Sequence, residues 1–312
     1  DNVPMKNSRG FVLVIVLVAV VLLTSLVTVF VNQVYLETGS NRNSIDTTQG
    51  SLFAEGGMTG AQRLLTTTLS TQSYSSLADY WAKPLVFEEE QGQLRISIEE
   101  ENSKLNLNTI AFPNGTYNEI YHDMAIRLFK QLKLPLDPLD AIADWIDEDT
   151  TPHPGGAEAD WYLTRKQPYR PRNKPLVTLE ELKRIKGVAE LFERISPFVT
   201  VYGDQPGTAA APININTAPR ELLLALDERM SETLADRIIE RRKTTPFKNP
   251  AELAQVPGMQ QIATALLTRI STKGSVYRIR SEGLVNGTTR TIEAVIRVSG
   301  GTTPAILYWR EY

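Results

Sequence analysis

The 312-residue sequence contains no cysteine and only two histidines, His122 and His153. Without cysteine, the chain can form neither a disulfide framework nor a thiolate metal site, and it has no cysteine nucleophile. We expect both histidines to lie at the surface rather than on a metal ion, because they are far apart in sequence. The sequence also lacks a glycine-rich phosphate loop and a Gly-x-Ser-x-Gly elbow. These absences argue against an enzyme.

An excess of charge of either sign is also missing. The chain has 33 lysines and arginines against 36 aspartates and glutamates, which gives a net charge of −3. That balance does not predict a protein that binds nucleic acid through overall basicity. At 312 residues, the chain is long enough for more than one module.

Charged residues are absent from the stretch 11–31, which is rich in Val, Leu and Ile. About 20 consecutive apolar residues cross a bilayer as a helix, which satisfies its own backbone polar groups. A cleaved secretory signal is the alternative, but its apolar core would have only roughly 7–15 residues. Lys6 and Arg9 precede the stretch, so the positive-inside rule keeps the amino end cytoplasmic. We therefore expect a transmembrane helix at 11–34, which crosses the membrane once and leaves the bulk of the chain on the non-cytoplasmic side.

The junction between the basic head and the apolar stretch is Gly10-Phe11. It resembles the processing site of type IV pilins and type II secretion pseudopilins. The resemblance implies that a prepilin peptidase cuts after Gly10 and methylates the new amine of Phe11, so that residues 1–10, with Met5 as the natural start, form a leader. That family carries glutamate at the fifth mature position, which is Ile15 here, and the exception is the large minor pseudopilin family, GspK. A chain without this glutamate is not expected to repeat along a filament.

Apolar residues continue beyond the membrane stretch at helical spacing, so we expect the helix to continue into solvent. Gly39, Gly50, Gly56 and Gly57 lie inside this continuation. An interior glycine costs about 1 kcal/mol relative to alanine in a helix. The glycines therefore predict a bend.

Alternating polar and apolar residues predict strands at 93–99, 276–280 and 291–298. Asn286-Gly287, between the last two, is the strongest two-residue hairpin signal. Between the first and second strands, apolar spacing and capping residues predict a series of helices. Strand patterns on both sides of a helical block imply an insertion into one sheet.

The predicted fold class is α+β. A pilin-like amino-terminal membrane helix packs on an antiparallel sheet, which is interrupted by a large all-helical insertion that is SAM-like or helix-hairpin-helix-like. The expected segments are a leader (1–10), a transmembrane helix (11–34), a pilin-like helix with the first strands (35–110), an inserted helical domain with an acidic loop (111–211), a helix-hairpin-helix-like subdomain (212–272) and the C-terminal strands (273–312).

The acidic loop is the sharpest candidate site. Four acids, Asp144, Asp147, Glu148 and Asp149, come just before a Pro/Gly-rich stretch, and Glu158 and Asp160 come just after it. Of these, Asp147, Asp149, Glu158 and Asp160 are the candidate ligands. Calcium takes six to eight oxygen ligands, usually from loops, although this spacing is not that of an EF-hand. A solvated acidic helix end is the alternative that the residues leave open. In the GspK family the inserted domain carries calcium in such a loop, and a later run ending at Asn173 also resembles that domain. The resemblance therefore implies a Ca²⁺ site in which Asn173 could add an amide oxygen.

The stretch 212–270 also resembles the helix-hairpin-helix modules of competence proteins, which bind the DNA backbone. Hairpin glycines in those modules expose amides to phosphate. Here the first hairpin, 226–230, has no glycine and two acids, and the second keeps Gly258 alone. The cations that would contact phosphate are Arg237, Arg241, Arg242 and Lys248. A membrane-anchored DNA receptor is thus the alternative function, and we expect no nucleic acid partner.

In their order along the chain, these features resemble the GspK family over nearly the whole length. The resemblance implies a minor pseudopilin at the tip of the type II secretion pseudopilus, which initiates its assembly and supports protein export across the outer membrane. It also implies a location in the bacterial inner membrane, with a single pass, a cytoplasmic amino terminus and the bulk of the chain periplasmic. The expected partners are the other minor pseudopilins, prepilin peptidase and the inner membrane. A calcium-dependent adhesin is a weaker alternative.

Overall fold

A computed structural model describes residues 8–203, 210–299 and 303–312. Its longest element is helix α1 (Ser8–Thr71), which runs for 64 residues without interruption. The apolar stretch and the amphipathic stretch that follows it therefore form one helix, as predicted.

Several expectations about the amino end concern residues outside the described part. They include most of the leader, residues 1–7, and the side-chain surroundings at Gly10, Phe11 and Ile15. No helix in the part of the chain that the structure describes is long and apolar enough to cross a membrane.

Five antiparallel strands form one sheet in the order β1-β2-β7-β8-β9. They are β1 (Leu85–Glu89), β2 (Gly92–Glu100), β7 (Val276–Val285), β8 (Thr288–Arg297) and β9 (Ala305–Glu311). The three predicted strands are confirmed as β2, β7 and β8 at the centre of the sheet. Asn286 and Gly287 have φ angles of 48° and 86°, as a two-residue turn of type I′ requires. The sequence patterns missed β9, an edge strand with largely exposed side chains.

Helix α1 packs its carboxyl half across β2, β7 and β8. An ideal Cβ at Gly57 would lie 2.3 Å from the Ser281 Oγ and 2.6 Å from the Leu94 Cδ1, so only glycine lets the helix approach the sheet this closely. At Gly60, one turn later, a Cβ would meet nothing within 4 Å. The glycine at position 57 thus serves packing against the sheet.

The other α-helices of the described residues lie between β2 and β7, so the predicted insertion is present. They are α2 (Glu119–Gln131), α3 (Asp137–Ile146), α4 (Ala159–Leu163), α5 (Phe192–Ile195), α6 (Arg220–Ala225), α7 (Glu232–Thr244) and α8 (Ala263–Leu266). The 3₁₀ helices in the insertion are Glu101–Ser103, Leu107–Thr109, Leu179–Arg184, Ala189–Leu191 and Pro250–Gln255, and one more, Tyr80–Ala82, precedes the sheet.

The insertion is not purely helical, which corrects the sequence expectation. The insertion has two halves, and in each half a parallel pair of two-residue strands joins the beginning to the end. In the first half β3 (Leu105–Asn106) pairs with β4 (Val199–Thr200), and in the second half β5 (Ile213–Asn214) pairs with β6 (Ile270–Ser271). Two-residue strands are too short for alternation to set their bounds, and their pairing depends on tertiary contacts, so the all-helical expectation missed both pairs.

The insertion joins the sheet through two consecutive buried carboxylates. Glu100 accepts hydrogen bonds from the Ser75 Oγ (2.8 Å), the Asn214 Nδ2 (2.8 Å) and the Thr217 Oγ1 (3.1 Å). Burial outweighs these bonds and raises the pKa of Glu100 to about 7. The Glu101 carboxylate turns to the other side and accepts from the Arg278 Nε at 2.8 Å.

The contrast between the two glycines gives a test of the packing of α1. We expect Gly57→Ala to lower the free energy of unfolding by about 1–3 kcal/mol, because the added methyl group overpacks the interface with the sheet. Gly60→Ala should instead raise it by up to about 1 kcal/mol through helix propensity. Denaturant melts of both variants measure the difference, and equal effects would contradict the packing described here.

Candidate cation site in the helical insertion

The carboxyl end of α3 brings acidic side chains into the interior of the insertion. Asp144 lies in the last turn of α3 and Asp147 caps its end, so a spacing of three residues puts both on one helix face. Both side chains are fully buried, and Glu158, just before α4, is 7% exposed. Buried carboxylates in such a small volume need compensation by hydrogen bonds or by opposite charge.

The acidic side chains form two overlapping groups that share Asp147. One group contains Asp144, Asp147 and His153, and the other contains Asp147, Asp149 and Glu158. Within each group, one possible ligand atom from each residue lies within 4.8 Å of the others. The second group offers oxygen atoms only.

Several of these oxygens have no hydrogen-bond partner. Both carboxylate oxygens of Asp147, the Oδ2 of Asp144 and the Oε1 of Glu158 are buried without a partner. Among the described residues, the ion pair at this cluster is that of Asp144 with the His153 Nδ1, and no lysine or arginine pairs with Asp147 or Glu158. A buried donor or acceptor left unpaired costs about 1–3 kcal/mol, and more when it is charged. These buried oxygens therefore lack a compensating donor or positive charge among the described residues.

The pKa values of two carboxyls reflect this deficit. Burial, together with the nearby charges of Asp149 and Asp144, raises the pKa of Asp147 to about 6. Burial also raises the pKa of Glu158 to about 7, although a hydrogen bond from Asn173 opposes the rise. Without a cation, the folded protein thus holds protons here at a pH where ordinary carboxyls have lost them.

Two further segments close the cluster. At Gly115, which has a φ of 77°, a Cβ would lie 2.1 Å from the Asp149 Oδ2, so this loop passes directly over the carboxylate. On the other side, the Lys186 Nζ donates to the carbonyls of Gly155 (3.1 Å) and Gly156 (2.8 Å). These contacts hold the Pro/Gly-rich stretch in place without neutralising the acids.

The structure brings together three of the five predicted ligands, Asp147, Asp149 and Glu158. Asp160 is exposed on α4 and belongs to neither group of the described acids. Asn173 borders the cluster, but its amide nitrogen faces inward and donates to the Asp149 carbonyl at 2.7 Å and the Glu158 Oε2 at 3.5 Å. In this arrangement the Asn173 side chain presents its amide nitrogen, and not the predicted amide oxygen, to the cluster.

Sequence reasoning left Asp144 out of the ligand set and placed both histidines at the surface. The three-residue spacing of Asp144 and Asp147 was the available signal. His153 is half-buried and its backbone N–H donates to the Asp144 Oδ1 at 3.1 Å. His122 is 9% exposed and stacks on Tyr117 with 3.8 Å between ring centroids, so its surface assignment is wrong.

Three of the four cations that would serve DNA binding are bonded within the protein, whereas Lys248 is exposed. Arg237 and Arg241 donate to backbone carbonyls, and Gly258 donates its N–H to the Gln260 side chain at 3.0 Å. Arg242 donates to two more carbonyls, and burial lowers its pKa to about 10. These contacts use three of the four cations and the hairpin amide that phosphate contact would require, so the geometry does not favour the DNA receptor.

Two family models match the chain, and both are described as type II secretion system (T2SS), protein K. The first covers residues 103–204 and the second covers 213–273, which correspond to the two halves of the insertion. The candidate site lies within the first.

Comparisons that cover most of the chain match the same family as the two family models. The type II secretion system protein K of Klebsiella pneumoniae is 25% identical over 277 residues, which cover 83% of this chain and 82% of the relative. That of Pseudomonas aeruginosa is 26% identical over 261 residues, 78% of this chain and 75% of the relative. A chain in the crystal structure of the GspK-GspI-GspJ complex from enterotoxigenic Escherichia coli has the same fold, with a TM-score of 0.71, 23% identity and coverage of 88% of this chain and 99% of that one. Since the two matching models together span more than half of its residues, this chain belongs to the type II secretion system protein K family.

Proposed function

We propose that this protein is the minor pseudopilin at the tip of the type II secretion pseudopilus, where it initiates assembly of the filament and so supports export across the outer membrane. The observation that carries this proposal is the position of the insertion, which covers the carboxyl end of α1. An insertion at this end of the subunit occupies space that the next subunit along a filament would need. A subunit whose helix is covered at one end suits a terminal position.

The contacts at that end are specific. The Lys273 Nζ donates to the carbonyls of Leu69 (2.6 Å) and Gln72 (2.7 Å), which lie at or just beyond the last turn of α1. A cation at this position also favours the negative end of the helix dipole. Ser75, just beyond the helix, donates its N–H to the Thr272 carbonyl at 3.0 Å. The last turn of α1 is thus attached to the second half of the insertion.

The opposite end of α1 is the proposed membrane anchor, processed between Gly10 and Phe11 by prepilin peptidase. Support comes from large apolar side chains that are exposed along this end, such as Leu17 (63%), Leu26 (69%) and Phe30 (68%). A carboxylate at the centre of a bilayer costs a few kcal/mol, which apolar Ile15 avoids. With Ile15, the subunit has no acid for the amine of a subunit above it, whereas its own amine can receive a glutamate from below.

A groove on the sheet domain is the proposed docking surface for the other minor pseudopilins. It has a volume of about 810 Å³ and lies between α1 and strand β1. Its rim carries Tyr80, Val86 and Phe87, which are 77%, 49% and 49% exposed, and its floor includes Gly60. Exposed apolar surface on this scale marks interaction sites. The related GspK crystallised in complex with GspI and GspJ, and we assign the groove to the corresponding partners here.

The groove provides the test of the proposed partners. We expect the tagged full-length protein, extracted from membranes in detergent, to co-purify the other minor pseudopilins, and Phe87→Glu to reduce their recovery at least tenfold because it places a charge in the apolar contact. Ile306→Glu, an exposed apolar position on β9, is the matched control and should retain them. Full recovery with Phe87→Glu would contradict the assignment.

The cation that we propose for the acidic cluster is calcium. Asp147, Asp149 and Glu158 present hard oxygen ligands, four buried carboxylate oxygens in the cluster lack partners, and His153 is already bonded to Asp144. Calcium prefers such oxygen ligands over imidazole. Bound there, the ion would supply charge neutralisation that ties the end of α3 to the start of α4.

Calcium should stabilise the protein most at pH 8. Because the folded pKa values of Asp147 and Glu158 lie above their ordinary values, the cation-free protein binds more protons than the unfolded chain between about pH 4 and 7. Its stability in chelator should therefore rise as the pH falls from 8 to 6. Calcium needs the deprotonated carboxylates, so its gain of about 2.7 kcal/mol at a concentration of one hundred times Kd should shrink over the same range.

Thermal melts with calcium or with chelator, each at pH 8 and at pH 6, measure how the stabilisation by calcium depends on pH. Asp147→Asn/Glu158→Gln should lose the calcium response, whereas Asp160→Asn should keep it. Part of the pH trend should survive in the double variant, since Glu100 has a pKa of about 7 as well. An equal calcium response in the double variant, or none in the parent protein at pH 8, would disprove the site.

A further inference from the structure

The segment 161–179 contains five cations and no carboxylate, in a chain whose net charge is −3. The cations are Arg165, Lys166, Arg170, Arg172 and Lys174. We call residues 164–178 the basic loop. It connects α4 to the 3₁₀ helix that begins at Leu179.

The basic loop is fixed to the insertion at regular intervals. Its anchors are Tyr169, Asn173 and Leu176, which are half-buried or buried. The Tyr169 hydroxyl donates a hydrogen bond to the Arg184 carbonyl, and the Asn173 side-chain amide donates one to the Asp149 carbonyl. The Leu176 backbone N–H donates to the Asn108 Oδ1. Three prolines in the loop further restrict its backbone. The loop therefore presents its exposed side chains in a defined arrangement.

Three of its cations have no protein partner. Lys166, Arg170 and Lys174 are exposed, and their side chains form no ion pair or hydrogen bond within the described residues. By contrast, Arg172 lies 3.4 Å from Glu181, and Arg165 stacks 3.7 Å from the centre of the Trp161 ring. The free cations are spaced four residues apart, and two of them directly follow an anchor. Their arrangement is available to an external anion.

Exposed apolar side chains flank the basic loop. Leu163 is 41% exposed just before it, and Val177 is 47% exposed near its end. Exposed cations between exposed apolar residues match the interface of an anionic bilayer, where phosphate groups lie above acyl chains. We propose that the basic loop docks the protein on an anionic lipid surface through Lys166, Arg170 and Lys174.

That surface is separate from the one proposed for the amino end of α1. From Val31 to Thr71 the helix rises by roughly 60 Å, and the insertion is attached at its far end. The docking proposal itself stands on the basic loop alone, and it does not depend on the partners assigned to the groove. If the lipid-docking proposal fails, the assignment of partners to the groove still stands, and the reverse also holds.

The test uses the full chain in phosphatidylcholine nanodiscs, which accommodate the apolar end of α1. Nanodiscs are mixed with sucrose-loaded vesicles and centrifuged. We expect the protein to sediment with vesicles that contain phosphatidylglycerol, to stay in the supernatant with vesicles of phosphatidylcholine alone, and to lose sedimentation as salt increases. Lys166→Glu/Arg170→Glu/Lys174→Glu should weaken binding more than tenfold, since each cation near an anionic membrane contributes a factor of about five.

The matched control reverses three exposed cations elsewhere, as Arg63→Glu/Lys83→Glu/Lys130→Glu, and changes the net charge equally. It should sediment like the parent protein. Equal loss in the control would show a general charge effect and overturn the proposal. So would full sedimentation of the basic-loop variant, or failure of the parent protein to sediment with anionic vesicles.

Discussion

The ladder pairing of Glu100 with Tyr277 is the constraint on which the rest of the structure depends. The insertion leaves the sheet at the end of β2 and returns at the start of β7, and these two positions are neighbours on adjacent strands. The Glu100 carboxylate reaches from this point to Ser75, beyond α1, and to Asn214, at the start of the second half of the insertion. One buried side chain thus connects the helix, the sheet and the insertion. Because of it, the insertion lies over the end of α1 and cannot trail from the sheet as an independent appendage.

The buried carboxylates at the junction with the sheet and those at the candidate site have different surroundings. Those of Glu100 and Glu101 are satisfied by hydroxyl, amide and guanidinium donors. At Asp147, both oxygens are buried and unpartnered. The first arrangement is complete and serves structure, whereas the second lacks such donors. This difference distinguishes the candidate site from the other buried acids.

Local patterns sufficed for much of the fold. The central strands alternate clearly, and Asn286-Gly287 marks their turn, so the sheet and its interruption could be predicted. Sequence patterns failed at positions whose role depends on contacts with residues distant in sequence. Gly57 suggested a bend in isolation, and only the facing Ser281 shows that its role is packing. Sequence proximity grouped Asp160 with Glu158, although the two are placed differently at the start of α4, one exposed and one buried.

The central claim is that the covered end of α1 makes this protein a terminal subunit. Since the natural chain has no cysteine, a single one at exposed Glu190 on the insertion would be a unique label site. Isolated pseudopili that contain Glu190→Cys can be labelled with maleimide-gold and imaged by electron microscopy. The account predicts gold at one end of each filament. Gold repeated along the filament would contradict it.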